Sequence, residues 1–294
     1  MTRDTPRIIA HRGFAGVAPE NTVGAFRAVA DGRHPAAMIE LDVVPCADGT
    51  PVVFHDDHLD GNDDSRGITD GAGVVWETPL ESIRSATVLD SGETVPTLAA
   101  ALDAVPPTVG VNVELKNPGT TDVLGGESLP ATEVAARREV WDPFVERVVD
   151  VLDGADNELL VSSFAEAALA SVRDVAPELP AAPLVRDAVT DGLAIAERYD
   201  CEALHPRLTA VVPADGADCP PPERTTLLDG AADRGCDVNV WTVRTWYEAH
   251  RLTAAGVDGL IANYPNLLRW TDGEPTAGRP RSRPDSDSHE GPDD

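Results

Sequence analysis

Apolar positions along the chain alternate between two spacings. Short runs rich in Val, Ile, Leu and Ala occur at Arg7–Ala10, Met38–Val43, Val109–Leu115, Leu159–Ser163, Ala182–Val185, Glu202–His205, Val238–Val243 and Gly259–Ala262. Near-continuous apolar runs of this length are what strands covered on both faces require. Between them lie stretches with helical spacing: Thr22–Ala30, Leu98–Ala104, Val134–Leu152, Ala165–Val175, Leu193–Tyr199, Thr225–Arg234 and Thr245–Ala255. Asn21 stands where an N-cap is needed for the first of these, and several end at Gly or Pro. Eight strands separated by helices predict an α/β protein built as a (β/α)8 TIM-type barrel. An open doubly wound sheet is the rival, but no G-x-G-x-x-G follows the first strand.

Two segments break the alternation. Asp48-Gly49 lies between Val43-Val44 and Val52-Val53, a hairpin signal directly after the second strand. Residues 57–96 are rich in Gly, Asp and Thr, with one short helical stretch near Pro79–Arg84. A segment that long between barrel elements is expected to be a folded insertion over the active-site end. The expected organisation is therefore a barrel over residues 1–270, carrying the 57–96 insertion, and a disordered acidic tail over 271–294.

Charge narrows the function classes. The 294 residues hold 51 Asp and Glu against 23 Lys and Arg, a formal net of −28. The tail carries −4 of this and the body −24. A surface so acidic repels nucleic acid and anionic membranes, so neither is expected as a partner. No apolar stretch is long enough to span a bilayer, and Met1–Arg7 leads into the first strand without a signal-peptide core, so a cytoplasmic protein is expected. Cys46, Cys201, Cys219 and Cys236 form no C-x-x-C pair and read as reduced apolar residues. Of the 23 basic residues only Lys116 is a lysine. Acid excess with arginine almost exclusive suits a cytoplasm of molar salt, where the Debye length falls to about 3 Å.

In a barrel of this kind, chemistry sits at the C-terminal ends of the strands. Those ends here read His11-Arg12-Gly13, Glu40-Leu41-Asp42 and Glu114-Leu115-Lys116, and the hairpin returns to Phe54-His55-Asp56. Glu40 and Asp42, two apart on a strand, project from one face. With Glu114 they make a set of hard oxygen donors suited to Mg²⁺ or Ca²⁺. His11 and His55 are the acid–base candidates, because imidazole titrates near neutrality. Arg12 offers a planar fork of donors to a phosphate or an ion pair to one of the acids. Together these groups suit metal-assisted phosphoryl chemistry.

The same residues, in the same order, resemble the glycerophosphodiester phosphodiesterases. The likeness runs through His11-Arg12-Gly13, Pro19-Glu20-Asn21-Thr22, Glu40-Leu41-Asp42-Val43, Val52-Val53-Phe54-His55-Asp56, Pro96-Thr97-Leu98, Glu114-Leu115-Lys116, Ser163-Phe164, Trp241-Thr242-Val243 and Asp258-Gly259, covering roughly Ile8 to Leu268. The resemblance implies a barrel with an insertion after the histidine strand. It implies one divalent metal on Glu40, Asp42 and Glu114, proton transfer by His11 and His55, and phosphate binding by Arg12 and Lys116. Phe164 and Trp241 match apolar positions near the pocket mouth. The implied reaction is hydrolysis of a glycerophosphodiester to an alcohol and sn-glycerol 3-phosphate. The runners-up are a phospholipase D-like action on lysophospholipids and a barrel that only binds phosphodiesters. Two positions depart from the family pattern: Arg244 follows the Trp-Thr-Val where Asn is common, and Ala262-Asn263 stands where Thr-Asp is usual. Arg244 adds a positive group near the phosphate or head group. His58 and His205 are candidates for the entrance and the barrel mouth, with structural roles preferred, and His34, His250 and His289 read as surface residues.

The charge analysis predicts that folding depends on salt. Circular dichroism melts across a KCl series should show the melting temperature rising from about 0.1 M to several molar as self-repulsion is screened. A flat series would refute adaptation to high salt.

Overall fold

A computed structural model describes residues 5–62, 65–123, 125–213 and 223–269. The strands are β1 (Arg7–His11), β2 (Met38–Pro45), β3 (Pro51–Val53), β4 (Gly110–Leu115), β5 (Leu159–Ser163), β6 (Ala181–Val185), β7 (Ala203–Pro206), β8 (Asp237–Val243) and β9 (Gly259–Ala262). All except β3 run parallel in the ring β1-β2-β4-β5-β6-β7-β8-β9, closed by the pairing of β9 with β1. This is the TIM-type α/β barrel that the alternation predicts. The helices are α1 (Val23–Ala30), α2 (Leu80–Ser85), α3 (Leu98–Leu102), α4 (Ala131–Leu152), α5 (Glu166–Val175), α6 (Val189–Arg198), α7 (Glu223–Arg234) and α8 (Trp246–Ala255). Among the described residues no helix is long and apolar enough to cross a membrane.

Alternation along the strands separates two cores. Outward residues such as Ile39, Leu41, Val111, Val113 and Leu115 share one cluster with helix residues including Trp141, Val145, Val148 and Leu169. Each fully buried aliphatic side chain there stabilises the fold by about 1.5–3 kcal/mol. Inside the ring, Ile9, Met38, Leu160, Ala182, Ala203 and Ile261 form a separate apolar layer. Two residues further along, the same inward faces carry His11, Glu40, Ser162, Leu184, His205 and Asn263. A dry floor thus lies beneath a polar upper level.

The Asp48-Gly49 turn closes the hairpin as expected: β3 pairs antiparallel with β2, Val43 opposite Val53, and Gly49 has φ 82°. The insertion builds a small core of its own against this hairpin, with Leu59, Val75, Ile83, Ala86, Val88 and Val95 packed with Val44, Val52 and Phe54. Helix α4 continues through Pro143, and α8 opens on a capping box between Thr245 and Glu248 and ends at Gly256 with φ 82°.

Two expectations need correction. Thr22, not Asn21, caps α1, its hydroxyl accepting the Ala25 N–H at 3.2 Å. Asn21 is left-handed at φ 57° and turns into the barrel to serve a buried carboxylate, a role the adjacent hydroxyl does not fill. His34 is half-buried, with its ring edge-on to Phe14 at 6.4 Å. His205 lies wholly buried within the ring. Cys46, Cys201 and Cys236 are buried free thiols. The tail from Thr271, with His289, and Cys219 lie outside the described residues.

His205 receives a hydrogen bond at Nε2 from Asn239 Nδ2 (3.1 Å), and its Nδ1 has no partner. Burial lowers its pKa from 6.5 to about 3. Unfolding restores the ordinary pKa, so in the window between them the unfolded chain binds the extra proton. The stability contributed by neutral His205 is complete above pH 6.5 and is lost as pH falls toward 3. At pH 5 the loss is on the order of 2 kcal/mol. Urea unfolding at pH 7 and pH 5 should show His205→Gln losing less stability on acidification than the wild type. Equal losses would show that His205 does not carry this dependence.

Candidate active site

Strand register assembles the acids. His11 stands opposite Glu40, Glu40 opposite Asn112, and Asp42 opposite Glu114. Because these positions share the inward face, Glu40, Asp42 and Glu114 each bring an oxygen into a group no wider than 4.8 Å. All three are buried, at 2%, 0% and 8% exposure. Burial raises the Glu40 pKa well above its ordinary value, and the charges of Asp42 and Glu114 add to the rise. Burial pushes Asp42 the same way, but Arg12, His55 and Lys116 reverse it and hold that carboxyl well below the usual range. Glu40 Oε1 and Asp42 Oδ1 have no hydrogen-bond partner. Glu114 Oε1 meets the Lys116 ammonium at 2.7 Å, and Lys116 Nζ is 3.8 Å from Asp42 Oδ1. Unbonded buried carboxylate oxygens that converge on one point are the donor set of a hard divalent cation, so these residues fit the expected metal.

The turn after β1 is wound left-handed for three residues, Arg12, Gly13 and Phe14, with φ 53°, 72° and 68°. Such backbone costs about 1–3 kcal/mol at a residue with a side chain and persists only where its surroundings hold it. Here it aims the Arg12 N–H at Glu40 Oε2 (2.9 Å). The Arg12 guanidinium then bonds Glu20 at 2.9 Å and brings its Nε within 3.1 Å of Asp42 Oδ2. Asn21 Nδ2 donates to the same Asp42 oxygen at 2.8 Å. Gly13 lies so close to α1 that a Cβ would fall 2.9 Å from that of Ala25.

The two histidines are held by different means. His11 Nδ1 donates to Asn263 Oδ1 at 2.6 Å, leaving Nε2 3.9 Å from Glu40 Oε2. Burial, reinforced by the Arg12 charge, lowers its pKa to about 3, so the ring is neutral. His55 follows β3 and places Nδ1 2.6 Å from Asp56 Oδ1. Arg66, from the insertion, donates to Asp56 through its backbone N–H and Nε, both at 3.0 Å. It also forks onto Glu20 with two bonds of 2.8 Å. Burial tends to raise the Asp56 pKa, but the bonds from His55 and Arg66 hold it far below the usual value.

These groups line a cavity of about 370 Å³. His11, Arg12, Glu40, His55, Glu114, Lys116, Phe164 and Trp241 all line it, and Asp42 lies beneath. Phe164 and Trp241 meet edge to face at 5.5 Å. Arg244 reaches the same cavity, whereas His58 lies in the insertion beside Asp60. A larger groove of about 630 Å³, lined by parts of 99–107 and 151–157, has only Asp103 and Asp156 as ionisable groups. Sequence reasoning missed Glu20, Asn21, Asp56, Arg66, Arg186 and Asn263 as contributors. Asp56, next to a candidate histidine, and Asn263, at the last strand end, carried a positional signal. Arg66 carried none.

The chain belongs to the glycerophosphoryl diester phosphodiesterase family, whose profile matches residues 11–267. It is 30% identical to a glycerophosphodiester phosphodiesterase of Caldanaerobacter subterraneus subsp. tengcongensis, over 89% of this chain and 95% of that one. It is 24% identical to a glycerophosphodiester phosphodiesterase of Bacillus subtilis, over 91% and 87% of the two chains. Among solved structures it resembles an Oleispira antarctica phosphodiesterase in complex with the product sn-glycerol-3-phosphate. That match has a TM-score of 0.69 and 27% identity, covering 90% of this chain and 96% of the other.

The left-handed turn makes Gly13 irreplaceable in two ways, by its φ and by its contact with α1. Gly13→Ala should lower unfolding free energy by about 1–3 kcal/mol in chemical denaturation. Unchanged stability would show that the turn and α1 relax without strain.

Proposed function

We propose that the protein hydrolyses glycerophosphodiesters to an alcohol and sn-glycerol 3-phosphate, with one divalent cation, Mg²⁺ or Ca²⁺, held by Glu40, Asp42 and Glu114. The observation that carries this reading is the convergence of three buried carboxylates, two with an unbonded oxygen, beside two histidines in one cavity. A bound cation supplies Lewis-acid polarisation and offsets phosphate charge. Lys116 and Arg12 add positive charge on the same side, an ammonium with freely turning donors and a guanidinium fixed by Glu20 and Asp42. Asp56 orients His55 through Nδ1 and stabilises its imidazolium, whose Nε2–H protonates the leaving alcohol oxygen. His11 keeps its proton on Nδ1 against Asn263, so its unprotonated Nε2 takes a proton from the attacking water. Phe164 and Trp241 form the apolar side of the cavity, against which the carbon skeleton of the substrate rests.

A phospholipase D-like action on lysophospholipids would need an apolar wall for the acyl chain. The apolar lining is confined to Ala15, Phe164, Leu184, Trp241 and Ile261, and eight charged side chains share the cavity with it: Arg12, Glu20, Glu40, Arg66, Glu114, Lys116, Arg186 and Arg244. A barrel that merely binds phosphodiesters has no need of an oriented histidine pair.

Titration calorimetry with Mg²⁺ and Ca²⁺ should reveal one site that Glu114→Gln weakens while circular dichroism is unchanged. Exhaustive chelation should abolish hydrolysis of glycerophosphodiesters, and His55→Ala should cut turnover by about 10²–10⁴-fold. Full turnover after chelation would remove the metal from this reading, and near wild-type turnover of His55→Ala would remove the histidine.

A further inference from the structure

The cations lining the cavity fall into two groups. Arg12, Arg66 and Lys116 stand on the side of β1, β2, β3 and β4, and each is matched by carboxylates: Arg12 by Glu20 and Asp42, Arg66 by Glu20 and Asp56, Lys116 by Glu114. Arg186, following β6, and Arg244, following β8, stand on the far wall, because β6 lies opposite β1 in the ring and β8 opposite β4. Neither of these exposed guanidiniums has a carboxylate within ion-pair distance among the described residues. Asp187, next to Arg186, is engaged by Arg207 at 2.7 Å. Glu248, four residues past Arg244, accepts the backbone N–H groups of Arg244 and Thr245 at 2.7 and 2.9 Å. In a chain with 51 acids and 23 basic residues, two cations in one cavity without an acidic partner among the described residues run against the composition.

The far wall is also unsuited to a cationic head group. Aromatic faces hold quaternary ammonium groups when they are open to them. Here the Phe164 ring already has the Arg186 guanidinium 5.4 Å and the Lys116 ammonium 5.8 Å from its centroid.

We infer that Arg186 and Arg244 select diesters whose alcohol arm carries a second anion, a terminal phosphate or a carboxylate. This deepens the hydrolytic reading above and rests on it. With the scissile phosphate held at the carboxylate wall, one arm of the diester extends across the cavity to the β6–β8 wall. Glycerol brings only neutral hydroxyls there, whereas an anionic alcohol meets two guanidiniums in charge-assisted bonds. The contacts form at short range, so they persist where salt screens the repulsion from the acidic exterior.

The test compares kcat/KM for glycerophosphoglycerol, glycerophosphoglycerol phosphate, glycerophosphoglycerate and glycerophosphocholine in the metal-loaded full-length protein at one fixed salt concentration. The readout is the ratio of each substrate to glycerophosphoglycerol within one preparation, which cancels any difference in folded fraction between variants. Wild type should favour one or both anionic diesters by about tenfold, mainly through KM, and disfavour the choline diester. The phosphate and carboxylate arms tell which anion fits. In the Arg186→Gln/Arg244→Gln double variant the anionic preference should fall to near parity, and Arg244→Lys should keep part of it. Turnover without anionic preference in the wild type, or a preference that survives the double substitution, would overturn the inference and leave the hydrolytic reading standing. An unchanged ratio with all substrates slowed alike would place these arginines on the scissile phosphate instead. No turnover of any diester would remove both.

Discussion

Everything at the barrel mouth follows from placing three carboxylates side by side on β2 and β4. Bringing such charges out of water costs several kcal/mol each unless cations and donors meet them. The surrounding structure meets them from every side: the Arg12 guanidinium and N–H, the Asn21 amide and the Lys116 ammonium. The left-handed turn at Arg12–Phe14 exists because the Arg12 amide and side chain must reach two acids at once. Even so, the supply falls short. Glu40 and Asp42 keep unbonded oxygens, and that shortfall is what the proposed divalent cation would fill.

The same electrostatic demand ties the insertion to the barrel. Arg66 bridges Asp56, which orients His55, and Glu20, which holds Arg12. One side chain from the least regular segment thereby positions both His55 and, through Glu20, Arg12. The small core under the hairpin keeps this segment in place. Its packing is separate from the main core, so the mouth of the cavity has its own local support.

Charge is distributed with opposite sense inside and outside. The chain carries a net −28, yet the cavity brings together Arg12, Arg66, Lys116, Arg186 and Arg244. Long-range repulsion of an anionic substrate and short-range attraction by the cavity therefore compete. Salt weakens the first far more than the second, because exposed charges are screened over a few Å while contacts within the cavity are not. The acidic surface and the proposed phosphate-binding cavity are compatible in a saline medium.

The order of elements and the barrel were legible in the sequence because strand and helix spacing are local properties, and eight buried runs leave few other architectures. β5 and β9 match the expected spans Leu159–Ser163 and Gly259–Ala262 residue for residue. That Glu40, Asp42, Glu114, His11 and His55 gather at one end of the barrel was legible for a related reason: strand ends of a barrel converge, and two-residue spacing puts side chains on one face. What only the tertiary structure decided is how each group is partnered. Asn21 had a local use as a helix cap and a long-range use on Asp42, and the buried carboxylate won. Arg66 lies 46 residues from Glu20 and Asn263 lies 252 from His11, separations over which no local pattern operates. His205 shares its strand-end position with the site residues, yet ring closure sealed it in the interior. Periodicity reports which face a side chain takes. Which charge it meets there depends on chain closure, and that is set by contacts far apart in sequence.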